Sequence, residues 1–163
     1  MKILTVDPGN NTGWALFDIE DYIPKQVDYF SLSAIALKTW SVEQQLVNMW
    51  NKFMIVLNAT EPDRVIIEGT RVYSGSQKSM VSAVRGNLIN LTMLLGGYAS
   101  CCHARGIHFQ ILTASKWKGQ MSKEATAAQV KHITGVTFLN EHITDAVGIG
   151  LSVMKLLPIG RAK

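Results

Sequence analysis

Short apolar runs alternate along this chain with longer stretches whose apolar positions recur every three or four residues. Ile3-Leu4-Thr5-Val6 and Val65-Ile66-Ile67 are runs of strand length. Each meets turn residues, Pro8-Gly9-Asn10-Asn11-Thr12-Gly13 after the first and Gly69 after the second. Runs apolar at successive positions suit strands covered by helices on both faces of a sheet. Gly13 to Phe17 and Val27 to Leu32 read as two more strands of a meander, and His108 to Leu112 as another.

The helical stretches carry their own signals. Ser41 offers an N-cap with Gln44 three residues on, as in a capping box, and Val42, Leu46, Met49, Trp50, Phe53 and Leu57 follow at helical spacing before Pro62. After a polar loop from Tyr73 to Ser79, a long helix is predicted over roughly 80–105. Leu88, Leu91, Leu95 and Cys102 form one apolar face of it, and Ile89 and Met93 another. A helix apolar nearly all round is covered on both sides, one by the core and the other by a partner subunit. Thr113 to Gln120 reads as a loop, Ser122 to Thr134 as a short helix, and Asn140 as the N-cap of a last helix whose apolar stripe runs from Ile143 to Leu157, with Pro158 as its stop.

Against this frame, four polar residues sit where apolar segments open. Asp7 ends the first strand, Glu68 ends the Val65-Ile66-Ile67 run, and His142 and Asp145, three apart, share a face at the start of the last helix. Each has a bland explanation when taken singly. Asp-Pro-Gly begins turns for local reasons, Glu68 can be a strand-edge charge, Asp145 suits the helix dipole, and His142 can be a surface histidine. Together they place three acids and an imidazole beside the carboxyl ends of parallel strands, where open sheets bind ligands. Acids so placed are costly unless paired or bound to a cation, which makes the four candidate metal ligands.

Composition changes the picture modestly. The chain has 163 residues, 47% of them hydrophobic, enough for the core of one domain spanning 1–163. Its formal charge is +4, a mildly basic surface around an acidic site, which suits a polyanion held near metal ions. No signal or membrane-spanning segment is expected, since Met1 to Val6 leads straight into a strand. Cys101 and Cys102 cannot build a disulfide framework and fit no usual zinc spacing with His103 and His108, so they read as buried helix thiols in a reducing cytoplasm.

The order β-β-β-α-β-α-β-α, with an extra helix near the end, Asp on the first strand, Glu on the fourth and an acid on the last helix, resembles the ribonuclease H-like superfamily. Its finer motifs resemble the RuvC-type Holliday junction resolvases. These are Val6-Asp7-Pro8-Gly9 with Thr12-Gly13, Ile67-Glu68, Val84-Arg85-Gly86, the Lys116/Lys118/Gly119/Lys123 segment, and His142-x-x-Asp145-Ala146. The compact length and the wording Trp117-Lys118-Gly119-Gln120 resemble bacteriophage versions, for which the setting would be the bacterial host cytoplasm.

The resemblance implies an α/β fold with a central five-stranded mixed sheet flanked by helices. It also implies a crossover junction endonuclease in which Asp7, Glu68, His142 and Asp145 ligate magnesium, with manganese able to substitute. Two such ions about 4 Å apart can clamp the attacking and leaving oxygens of a phosphodiester, giving a 5′-phosphate and a 3′-hydroxyl. Arg71, Tyr73, Lys78, Arg85, Lys116, Trp117, Lys118 and Lys123 are the implied DNA contacts, with Tyr73 near the place of the family's junction-opening aromatic residue. Coordinated cutting of two opposed strands implies a homodimer through the 80–105 helix.

Three other readings compete. A nuclease for flaps, other branched DNA or RNA would use the same metal site. A non-catalytic junction binder would lack a ligand, and all four are present. A sugar-kinase or actin-like ATPase, suggested by Asp7-x-Gly9 with Thr12-Gly13, would need a second such loop and about twice the length.

Overall fold

The computed structural model describes residues 1–9, 11–20, 23–33, 40–70 and 87–157. Five strands form one sheet: β1 Lys2–Asp7, β2 Asn11–Glu20, β3 Ile23–Ser33, β4 Arg64–Gly69 and β5 His108–Thr113, in the order β3-β2-β1-β4-β5. The first three strands pair antiparallel, as a meander joined by short connections allows. β4 then pairs parallel to β1, and β5 parallel to β4, each reached through a helix. The expected mixed five-stranded sheet is therefore present.

Both faces of that sheet are covered. Alternate residues of each strand point to opposite faces, so the apolar runs of β1 and β4 feed two cores at once. Leu4, Val6, Trp14, Val65 and Ile67 pack against α1, Val42–Thr60, and α2, Asn87–Ala104. Ile3, Ala15, Phe17 and Ile66 face the other layer, which holds α3, Ala114–Trp117, α4, Lys123–Thr134, and α5, Glu141–Val153. Cys102 is buried in the first core, and burial pushes its thiol up to about 12, which leaves it an inert apolar filler.

The helix starts follow the capping residues. Ser41 and Gln44 form the reciprocal box of α1, Ser122 caps α4, and the Asn140 side chain accepts from the His142 N–H at 2.9 Å. The end of α5 differs from expectation. It stops at Val153, because Lys155 takes a left-handed turn (φ 60°) and the Leu156 and Lys155 N–H groups bond back to Leu151 and Ser152. Leu156 is consequently 42% exposed instead of extending the inward stripe, while Leu157 folds back into the core. The segment expected as a loop after β5 contains the short helix α3. Of the long 80–105 helix, residues 80–86 lie outside the described residues.

α5 is the most enclosed helix of the second layer, buried from Ala146 to Ser152. It lies close because glycines remove obstacles: a Cβ on Gly150 would land on the Phe17 ring, and one on Gly13 would land on the His142 backbone. The Thr5 hydroxyl donates to the Ala146 carbonyl at 2.7 Å, fixing the helix to the centre of β1. Among the described residues, no helix is long and apolar enough to cross a membrane.

Candidate metal centre

The parallel register sets Val6 beside Ile67, so Asp7 and Glu68 emerge side by side from the same end of the sheet. α5 enters above that end with Asp145 at the start of its second turn. One oxygen from each of Asp7, Glu68 and Asp145 lies within 4.8 Å of the others, close enough to hold a common cation. Strand tips and a buried helix are rigid supports, so the fold itself holds the three carboxylates together.

His142 reaches the same corner differently. Its Nδ1 lies 2.7 Å from Asp7 Oδ2, with the His142 side chain 28% and the Asp7 side chain 13% exposed. That bond to Asp7 raises the imidazole above its usual pKa, against the opposing effect of burial. Asp7, Glu68 and Asp145 thus form the cluster, and His142 joins it through Asp7.

Lys118 is the cation built into this corner. Its Nζ lies 3.1 Å from Asp145 Oδ2, and both side chains are largely buried. The ammonium also sits 4.7 Å from the centre of the Trp117 ring. Burial raises the Asp145 carboxyl and Lys118 pulls it back. Glu68 is driven much further, up to about 8, by burial first and by the Asp7 carboxylate second. Lys118 relieves only part of this accumulation of negative charge, which divalent cations would offset more fully. An all-oxygen set of three carboxylates is what magnesium and manganese prefer.

The implied DNA contacts fare unevenly. Lys116 is exposed on α3, and Lys123 is exposed at the start of α4, where it pairs with Glu141 at 2.8 Å. Trp117 requires a correction: it is wholly buried, its ring pressed against Gly148 and the second core, so it has no face to offer a base. Arg71, Tyr73, Lys78 and Arg85 lie outside the described residues. The sequence marks Thr12 only as part of the opening motif and does not mark Tyr98, whose hydroxyl meets that of Thr12 behind the Asp7 turn. The one local hint was a tyrosine on the otherwise apolar core face of α2.

Neither a family model nor a curated protein matches the sequence. Solved structures do. Thermus thermophilus RuvC superposes with a TM-score of 0.71 over 93% of this chain and 92% of its own, at 16% identity. The same protein in complex with a Holliday junction substrate gives 0.68 over 93% and 92%, at 17% identity. The yeast mitochondrial Holliday junction resolvase Ydc2 gives 0.64 over 95% of this chain and 78% of its own, at 12% identity. The chain has the fold of the RuvC-type Holliday junction resolvases.

Proposed function

We propose that this protein is a magnesium-dependent endonuclease that resolves four-way DNA junctions as a homodimer. The observation that carries the reading is the buried triad Asp7, Glu68 and Asp145, converging within 4.8 Å at the strand tips of a fold shared with junction resolvases. Asp7 and Glu68 serve as the fixed donors, and Asp145 as the donor brought in by α5. His142 is the fourth member of the set and acts on the site through Asp7 as long as Asp7 holds its Nδ1. When bound, a pair of divalent ions would supply Lewis-acid polarisation of the phosphodiester and a more acidic water nucleophile, for hydrolysis to a 5′-phosphate and a 3′-hydroxyl.

The chain's own groups do the rest. Lys118 stands beside Asp145, where an ammonium can meet a phosphate oxygen entering the corner. Lys116 and Lys123 extend positive charge from that corner along the surface, suiting a DNA backbone. Ile89, 60% exposed, and Met93, 46% exposed, lie on the outer side of α2 and give a second copy an apolar face. A two-fold pair would present two metal centres to two opposed strands of one junction.

The reading is tested by separating binding from cleavage. Asp7→Asn and Asp145→Asn should each bind an immobile four-way junction with close to wild-type affinity in calcium or EDTA, yet cut it at least ~1000-fold more slowly in magnesium, the scale on which lost electrostatic stabilisation acts. Cleavage within tenfold of wild type by either variant would remove that carboxylate from the metal site.

A further inference from the structure

A buried chain of hydroxyls runs behind the turn that carries Asp7. Thr12, wholly buried at the start of β2, accepts from the Gly9 N–H at 3.3 Å and donates to the Gly9 carbonyl at 3.0 Å, closing the turn between β1 and β2. A threonine has one hydroxyl proton, and here it is committed to Gly9. The Tyr98 hydroxyl lies 3.1 Å from Thr12 Oγ1 and, with that proton on the Gly9 carbonyl, serves as the donor of the bond between them. Tyr98 is also wholly buried, its ring centre 4.4 Å from that of Phe53 and 5.6 Å from that of Trp14. Burial pushes its phenol above the usual range, so the group stays neutral and keeps its proton.

A phenylalanine would fill the same aromatic pocket, and a buried hydroxyl is costly unless it is hydrogen-bonded. What the oxygen of Tyr98 adds is its bond to Thr12. On the other side of the turn, a Cβ at Gly9 would come 3.2 Å from His142 Cε1, the ring whose Nδ1 holds Asp7. The turn is thus gripped between the Thr12 hydroxyl and the His142 ring.

We propose that Tyr98 is a positioning residue for the metal centre: through Thr12 it fixes the Asp7-Pro8-Gly9 turn, and with it the Asp7 carboxylate. The inference rests on the metal site proposed above. It also links α2, the helix that carries the exposed Ile89 and Met93, to a metal donor, so that displacement of α2 is felt at Asp7.

The test is manganese(II) binding without DNA, followed by titration calorimetry, alongside thermal unfolding. Tyr98→Phe keeps the ring and should weaken manganese binding about three- to tenfold, the scale of one neutral hydrogen bond. Thr12→Val should weaken it at least as much, Thr12→Ser should restore it, and the Tyr98→Phe/Thr12→Val pair should be no weaker than Thr12→Val alone, because both act through one link. Asp7→Asn is the control for the site itself. If Asp7→Asn loses manganese while Tyr98→Phe binds it as the wild type does and only melts earlier, the positioning role is overturned and the metal site stands. If Asp7→Asn binds manganese like the wild type, the metal site falls and this inference with it.

Discussion

Glu68→Gln should stabilise the metal-free protein at alkaline pH while abolishing cleavage. Burial and the neighbouring Asp7 carboxylate lift the Glu68 carboxyl from 4.5 to about 8 in the folded chain. An acid whose folded pKa is raised contributes its full stability below about pH 4.5 and loses it as pH climbs through the folded value. At about 1.4 kcal/mol per pH unit of linkage, the wild type loses stability steadily from pH 4.5 to pH 8, by about 3 kcal/mol between pH 5.5 and pH 8. Coulomb's law agrees in scale: two like charges within 4.8 Å repel by roughly 3.5 kcal/mol at an effective dielectric of about 20. Glutamine has the shape of the protonated acid and no such titration. In EDTA the variant's lead in Tm over the wild type should therefore widen by about 6–12 °C between pH 5.5 and pH 8 for a chain of this size. Magnesium should reverse the order at pH 8, raising the wild-type Tm and leaving the variant nearly unmoved. Parallel Tm-against-pH curves for the two proteins in EDTA would refute the reasoning, because they would mean that Glu68 is not held against its charge.

Other substitutions probe the supports. Trp117→Phe should lower stability by roughly 1–2 kcal/mol, less than the 3–5 of a full truncation, and leave the salt dependence of junction binding unchanged, since the ring is a core group. A loss of affinity with an unchanged Tm would return Trp117 to the DNA surface. Lys116→Ala, at an exposed position, should reduce the slope of log affinity against log salt by about one unit without altering Tm, and an unchanged slope would remove it from the phosphate contacts. Gly150→Ala places a methyl on the Phe17 ring and should cost about 1–3 kcal/mol, whereas Gly96→Ala meets nothing within 4 Å in an exposed helix position and should gain up to ~1 kcal/mol. Denaturant unfolding of the pair checks the sign of both.

Much of the framework was readable because it is written locally. The β1 and β4 runs are apolar at successive positions because the sheet is covered on both faces, and Ser41, Ser122 and Asn140 announce their helices by capping them. Asp7, Glu68 and Asp145 stood out because each interrupts an apolar segment at the end nearest solvent. What was not readable depends on partners distant in sequence. Trp117 looked like part of a basic loop, and only the space above Gly148, on another helix, decides that it is buried. The Lys118–Asp145 pair spans 27 positions, and the His142–Asp7 bond 135. The end of α5 escaped because a left-handed turn at Lys155, where glycine is more usual, terminates the helix before Pro158 is reached.

The most direct measurement is cleavage of an immobile four-way DNA junction, with a matched duplex and a flap alongside, in magnesium and in EDTA. A metal-dependent resolvase should make paired nicks on opposed strands, confined to the junction, with 5′-phosphate and 3′-hydroxyl ends, and none in EDTA. Equal cutting of the flap, or binding of the junction without cleavage in either magnesium or manganese, would contradict that reading.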